Sequence, residues 1–332
     1  MRIVVKVERI KLKMDTLDDL PKVIYFLGCV YAVKIIYSTL VELKNGLQGY
    51  FLPRVWNVVF GQNDFRSRYG DWALVTGSSQ GIGRAYAHEL AKRGINVVLV
   101  ARNKERLDNV AKDIEGSYNV KTIVIVVDFT DNMAVSKVVK ELDKQKLNIG
   151  VLVNNVGMMG PHFIPFLELD EKTARDMITV NCISATMMCH NILPKMLANN
   201  KGAIINIVSS TSFYVMPYFA EYSATKHYMA AFTAGLRAEV GGSNVIIQEI
   251  DPGQTNTNMA KDLIPISRVE APAPEWLVQN SILSLGWTPK TAGWWFHSLH
   301  RLVSSMLPEF LLSRVLHLFG WWQYRYSNKK KQ

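Results

Sequence analysis

Tyr222 and Lys226 stand four residues apart in the segment YSATKHYMAAFTAGLRAEV. That separation puts two side chains on one face if the segment is a helix. Free tyrosine, with a pKa of about 10, is a poor base at neutral pH, and a lysine ammonium beside it favours the phenolate. The pair could therefore give a proton to an oxygen or take one from it. Ser209 and Ser210 lie thirteen and twelve residues earlier, at the end of the apolar run IINIVS. A hydroxyl from either could hydrogen-bond a substrate oxygen and stabilise charge developing there. Tyr214, Tyr218 and Tyr228 have no lysine four residues later and read as packing or pocket lining.

Such chemistry needs a hydride carrier, and Thr76-Gly77-Ser78-Ser79-Gln80-Gly81-Ile82-Gly83 suits one. Glycine is required where a backbone turns sharply, lies against a pyrophosphate, or lets a helix press on a sheet. The phosphates would then meet the free N–H groups of the helix that follows. The loop stands between the strand-like WALVTG and the helix-like IGRAYAHELAKRG. INVVLVAR, KTIVIVVDF, GVLVNNVG, GAIINIVSS and NVIIQEIDPG follow, separated by polar, helical stretches. Their apolar runs do not alternate, so the strands are buried on both faces in a parallel sheet. The fold class is α/β, a Rossmann-like doubly wound parallel sheet. An NAD site of this kind carries an acid at the end of the second strand. Ala101-Arg102 stands there instead, and an arginine fork accepts a 2′-phosphate that a carboxylate would repel. NADP(H) is the expected cofactor, with Arg102 as the discriminator.

The chain has 332 residues and a formal charge of +10. The excess is +5 over residues 1–70 and +6 over 290–332, while 71–289 carries −1. A neutral centre between basic, aromatic-rich ends argues against nucleic acid and for an anionic membrane surface. Val23–Val41 is nineteen residues long and interrupted only by Lys34, about the length needed to cross a bilayer. Spanning, lying in the interface and packing on the protein all remain open. At the other end Trp294, Trp295, Trp321, Trp322, Tyr324 and Tyr326 surround an apolar stretch that Pro308 divides into two helical pieces. Membrane contact and core or dimer packing both suit that tail. Cys29, Cys182 and Cys189 form no CxxC pair, which implies reduced thiols in a cytosol-facing domain. His297 and His300 lack acidic or thiolate partners at metal-ligand spacing, so they read as ordinary interfacial or surface residues and no metal is expected. The units are a membrane-anchoring segment (1–50), a linker (51–70), the nucleotide-binding domain (71–290) and a helical tail (291–332).

The TGxxxGxG spacing resembles the short-chain dehydrogenase/reductase family. In order follow Asp128, Asn154-Asn155-Val156-Gly157, Asn181, Ser209, Tyr222-Ser223-Ala224-Thr225-Lys226 and Pro252-Gly253. The resemblance covers about residues 70–290. It implies Asn181, Ser209, Tyr222 and Lys226 as catalytic residues: Ser209 in register with the tyrosine, Asn181 anchoring a water behind the lysine. It further implies a cofactor cradle of Gly77, Ser79, Gly81, Ile82, Gly83, Arg102, Asp128, Asn155, Tyr222, Lys226, Pro252, Gly253, Thr255 and Thr257. In this reading Asp128 and Asn155 serve the adenosine side, Thr255 and Thr257 face the nicotinamide carboxamide and phosphates, and Lys226 holds the nicotinamide ribose.

Within the family the chain looks like the branch of 17-beta-hydroxysteroid dehydrogenases, very-long-chain 3-oxoacyl-CoA reductases and hydroxysteroid dehydrogenase-like proteins. That implies reduction of a 3-oxoacyl-CoA or a 17-ketosteroid, with a lipid-like substrate, a membrane and a second copy of the chain as candidate partners. Some of the hydroxysteroid dehydrogenase-like members are held inactive because the tyrosine is replaced, whereas this chain keeps Tyr222. A weak or inactive nucleotide-binding membrane protein is the alternative. Lys329 and Lys330, fourth and third from the end, resemble the dilysine retrieval signal of endoplasmic-reticulum membrane proteins, with a mitochondrial location as the other option. The stretch after Met259, with Pro265, Pro272, Pro274 and Pro289, is expected to form the substrate lid.

Overall fold

The structure is a computed structural model that describes residues 20–60, 64–160, 163–260, 263, 267 and 269–331. Residues 1–19 of the anchoring segment, Pro265 of the expected lid and Gln332 lie outside the described residues. Helices α1 (Leu20–Gly46), α2 (Leu52–Phe60) and α3 (Phe65–Tyr69) lead into β1 (Trp72–Thr76). Then come α4 (Gly81–Ala91), β2 (Asn96–Ala101), α5 (Lys104–Ser117), β3 (Thr122–Val126), α6 (Ala134–Lys144) and β4 (Ile149–Asn154). After them follow α7 (Glu171–Ile178), α8 (Ser184–Ala198), β5 (Gly202–Ile207), α9 (Ala220–Glu239) and β6 (Val245–Ile250). The chain closes with α10 (Pro274–Leu283), β7 (Lys290–Thr291), α11 (Trp295–Met306) and α12 (Glu309–Lys331).

Among the described residues all seven strands are parallel, in the order β3-β2-β1-β4-β5-β6-β7. The two-residue β7 was not expected from the sequence; at that length it has no periodicity to read. β4 and β5 are buried along their whole length, as their β-branched runs require of strands covered on both faces. One core layer joins β1, β2 and β5 to α4, α5 and α10, and the other joins the opposite sheet face to α6 and α8. The chain reverses its order of strand addition between β1 and β4, and ligands of such sheets bind at that reversal, beyond the strands' C-terminal ends.

The two terminal regions lie against this domain. α1 is 27 residues long with none of them buried, and Leu20–Phe60 is apolar and long enough to cross a membrane. It nevertheless touches the tail: the Tyr31 hydroxyl donates to the Met306 carbonyl, and Arg301 pairs with Glu42 at 2.5 Å. Pro308 separates α11 from α12, since its ring cannot continue the first helix.

Candidate active site

The glycine loop crosses the end of β1 in a conformation that only glycine takes easily. Gly77 has φ +66° and Gly81 has φ +56°. A Cβ on Gly83 would lie 2.3 Å from the Gly77 carbonyl oxygen, so α4 can press on the loop only without a side chain there. Gln80 precedes α4 but gives it no side-chain cap, which leaves the first N–H groups of the helix free for an anion. Ser79 is half-buried in the loop, and Ile82 packs into the core layer beneath. From the far side Thr257 closes in, with its Cγ2 3.2 Å from where a Gly81 Cβ would stand. These features fit a dinucleotide pyrophosphate.

Asn155 braces the loop. Its side-chain amide donates to the Thr76 carbonyl at 2.9 Å and the Gly77 carbonyl at 3.3 Å. The Thr76 hydroxyl in turn accepts the main-chain N–H groups of Asn155 and Val156, at 2.9 and 3.0 Å. The structure thus spends the Asn155 amide on the loop's backbone. At the end of β2, Arg102 is exposed and only 3.9 Å from the Asp128 carboxylate, a loose pair worth little in water. Asp128 also accepts from the Thr130 N–H and hydroxyl, each at 3.0 Å. Arg106, which sequence reasoning missed, donates to Gln80 of the loop at 2.8 Å. Its place four residues after Arg102 is the signal that was there to be read.

Ser209, Tyr222, Lys226 and Asn181 meet just beyond the C-terminal end of β5. The Ser209 hydroxyl accepts from the Thr211 N–H and hydroxyl at 3.2 and 3.1 Å and hydrogen-bonds Tyr222. Ser210 faces Tyr214 instead. The Lys226 ammonium lies 5.6 Å from the Tyr222 ring centre and donates to the Ile207 carbonyl at 3.1 Å. Asn181 sits in a π-helical turn, Thr179–Ile183, a widening often found at functional sites. Its side chain accepts the Met158 N–H at 2.8 Å and donates to the Met158 carbonyl and the Thr225 hydroxyl, at 2.9 and 3.0 Å. Both of its amide hydrogens are thereby given to protein partners. Gly157 is close enough that a Cβ there would stand 3.8 Å from the Lys226 nitrogen.

Burial pushes the Tyr222 phenol up to about 12, with the Ser209 hydrogen bond pulling the other way. Burial likewise pushes Lys226 down to about 8, while the thiol of Cys182 and the carboxylate of Asp251 favour its charge. Both groups are almost wholly withdrawn from water, at 9% and 5% exposure, and burial disfavours the charged form of each. Burial also pushes Cys182 up to about 11 and Cys189 to about 12, so neither thiol is a nucleophile at neutral pH.

Tyr222 is roofed by apolar side chains. Phe163 stacks on Phe219 at 4.4 Å, and Phe219 leans on Tyr222 at 4.6 Å. Met216, Met177 and Leu316 complete the cluster, with Tyr214 and Tyr218 at its edge. Tyr228 instead points outward to Thr186. A surface hollow lined by Gly70, Trp72, Lys146 and Asn199 lies at the opposite end of the strands and is remote from this chemistry.

After β6, Thr255 is buried and its hydroxyl donates to the Gly253 carbonyl at 3.2 Å. Gly253 donates its N–H to His297 Nδ1 at 3.1 Å, and His297 Nε2 reaches the Glu270 carbonyl at 2.8 Å. Nδ1 is therefore the acceptor and Nε2 carries the proton. His297, read from sequence as an ordinary interfacial or surface residue, is a buried strut under Pro252-Gly253.

The short chain dehydrogenase family model matches residues 71–265. The chain is 35% identical over 286 residues to inactive hydroxysteroid dehydrogenase-like protein 1 of Pongo abelii, covering 86% of this chain and 85% of that one. It is 39% identical over 253 residues to the very-long-chain 3-oxoacyl-CoA reductase of Bos taurus, with 76% and 80% covered. A solved 7beta-hydroxysteroid dehydrogenase superposes with TM-score 0.69 at 26% identity, covering 76% of this chain and 99% of that one. A short-chain dehydrogenase from Sphingobium yanoikuyae in complex with NADPH superposes with TM-score 0.54 at 31% identity, covering 57% and 73%.

Proposed function

Because the chain belongs to the short-chain dehydrogenase family, we propose that it is a membrane-associated, NADPH-dependent reductase that turns a ketone on a lipid-like substrate into the secondary alcohol. The observation that carries this reading is the meeting of Ser209, Tyr222, Lys226 and Asn181 at one point beside the glycine loop. Bound NADPH supplies the hydride. Gly77, Ser79, Gly81, Ile82, Gly83, Pro252, Gly253, Thr255 and Thr257 would cradle it, with Asn155 bracing the loop, Asp128 on the adenosine side and Arg102 at the 2′-phosphate.

Tyr222, protonated at neutral pH with a pKa of about 12, gives its proton to the carbonyl oxygen, while Ser209 holds that oxygen by a hydrogen bond. Lys226 would hold the ribose, and it keeps a positive charge beside the phenol below pH about 8. Asn181 fixes the backbone at Met158 and supports a water behind the lysine. The aromatic and methionine roof favours an apolar substrate, and likeness to a very-long-chain 3-oxoacyl-CoA reductase points to a 3-oxoacyl-CoA ahead of a 17-ketosteroid. The apolar stretch Leu20–Phe60, long enough to cross a bilayer, supports the membrane attachment.

A second reading, a nucleotide-binding membrane protein without turnover, is favoured by likeness to a relative named inactive. Purified protein in detergent, given NADPH with long-chain 3-oxoacyl-CoAs and ketosteroids, separates the two. Tyr222→Phe should keep cofactor affinity while turnover falls by a factor on the order of 10² or more, the usual worth of a positioned proton donor. Lys226→Ala should weaken both binding and turnover. NADPH binding with no oxidation by the wild type supports the second reading; oxidation that survives Tyr222→Phe refutes the proton path.

A further inference from the structure

Helix α12 carries two apolar faces, and among the described residues only one of them has a partner. Leu312, Leu316, Gly320, Gln323 and Ser327 recur every three or four residues and lie inward, so one face of the helix packs on the domain. This face meets the loops around Tyr222. Leu316 belongs to the Tyr222 cluster and Phe319 meets Phe163 edge-on at 6.0 Å. Tyr324 stacks on Tyr218 at 5.7 Å and donates to Glu168 at 3.0 Å. A Cβ on Gly320 would stand 2.5 Å from the Pro217 carbonyl oxygen, so the helix backbone presses directly on the loop before α9.

The other face repeats at i, i+4, i+7 and i+11 through Leu311, Val315, Leu318 and Trp322, which are 41%, 48%, 65% and 53% exposed. A second exposed apolar stripe, Trp295, Leu299 and Val303, runs along α11. α11 packs on α1, the helix of membrane-crossing length in which no residue is fully buried, through Arg301–Glu42 and Tyr31–Met306. Residues 310–331 hold Arg314, Arg325 and Lys329 to Lys331 and no Asp or Glu. An apolar stripe with tryptophan and flanking cations suits an anionic headgroup surface. A soluble partner would leave the neighbouring α1 uncovered.

We propose that the outer face of α12 lies on an anionic phospholipid bilayer, so that its inner face forms the wall through which an apolar ketone passes from the bilayer to Tyr222. The second half rests on the proposed reduction; the first does not. Docking would then make α12 both an interfacial helix and the substrate's gatepost, with Leu316 and Tyr324 as the side chains a long ketone must pass.

The test uses the full chain in nanodiscs of phosphatidylcholine and phosphatidylglycerol, with a nitroxide at Leu318→Cys in a Cys29→Ser background. Lys137→Cys on the exposed side of α6 is the control. Oxygen should relax the Leu318 label far more than a water-soluble nickel chelate does, by a ratio on the order of tenfold above the Lys137 label. Equal ratios overturn the docking, and so does dipolar broadening between labels of two chains, which would mean that a second copy covers the face. In the same nanodiscs Leu311→Glu with Leu318→Glu should raise KM for a long-chain ketone on the order of tenfold, leaving NADPH affinity and reduction of a short water-soluble ketone unchanged. If both ketones suffer alike, the entry route is refuted. If the wild type reduces neither, the proposed reduction has failed while the label still decides the docking.

Discussion

His297→Phe should loosen the Pro252-Gly253 turn without touching the groups that transfer the proton. His297 is 7% exposed and takes the Gly253 N–H on Nδ1, so a phenyl ring leaves that buried N–H without an acceptor. An unsatisfied buried donor costs about 1–3 kcal/mol. At about 2–4 °C per kcal/mol for a domain of 150–250 residues, Tm should fall by roughly 2–12 °C. The pH dependence follows from the tautomer. Burial lowers the His297 pKa below its ordinary 6.5, and the neighbouring His300 adds to that. As pH drops below about 6.5 the unfolded chain takes a proton that the folded chain refuses, so stability falls through that window until the folded pKa is reached. His300, lowered by its own burial, loses stability in the same direction, so the readout is the difference between wild type and variant. Thermal unfolding in detergent from pH 5 to 8 should show a steeper acid loss for the wild type than for His297→Phe. A variant with wild-type Tm at pH 7.5 and an unchanged slope refutes the strut and the tautomer together.

Arg102→Asp should erase or reverse a preference for NADPH over NADH of at least about tenfold, since a charge-assisted phosphate contact is worth about 1.5–3 kcal/mol; fluorescence titration with both cofactors that returns an unchanged ratio removes Arg102 from the site. Thr76→Val should strip the acceptor from two main-chain N–H groups at 2.9 and 3.0 Å, lowering Tm and raising the NADPH Kd at least about fivefold for about 1 kcal/mol lost. A wild-type Kd would mean that the loop holds without this brace. Residues 1–50 fused to a soluble reporter should resist carbonate extraction at high pH, because the segment has the apolar length to span a bilayer; release into the supernatant puts it on the surface.

The parallel sheet and the glycine loop were legible because their signals are local. Runs such as INVVLVAR and GAIINIVSS name buried strands, and Gly77, Gly81 and Gly83 fall where a strand must turn into a helix. Spacing also brought Tyr222 and Lys226 to one face of α9. What stayed hidden depends on contacts between distant segments. Gly253 and His297 are 44 residues apart, and nothing in either neighbourhood announces the other. The widened turn at Asn181 leaves no mark in TVNCI, since a π-turn differs from an α-turn by one hydrogen-bond step. Leu316 comes to the Tyr222 cluster from the tail, so the sequence around the tyrosine gave no sign of how dry its surroundings are.

That dryness sets the resting protonation of the proposed proton donor. A bare phenol at about 12 holds its proton through the neutral range, and Lys226 at about 8 is mostly charged there. The pair therefore rests as acid plus cation, which is the state that reduction consumes: the phenol gives its proton to the oxygen as hydride arrives at carbon. Oxidation needs the phenolate, and reaching it at pH 7 from a pKa near 12 costs about 1.4 kcal/mol for each unit of the gap. Burial by the tail and burial by Phe219 thus act in one direction, keeping the proton on the Tyr222 phenol at neutral pH.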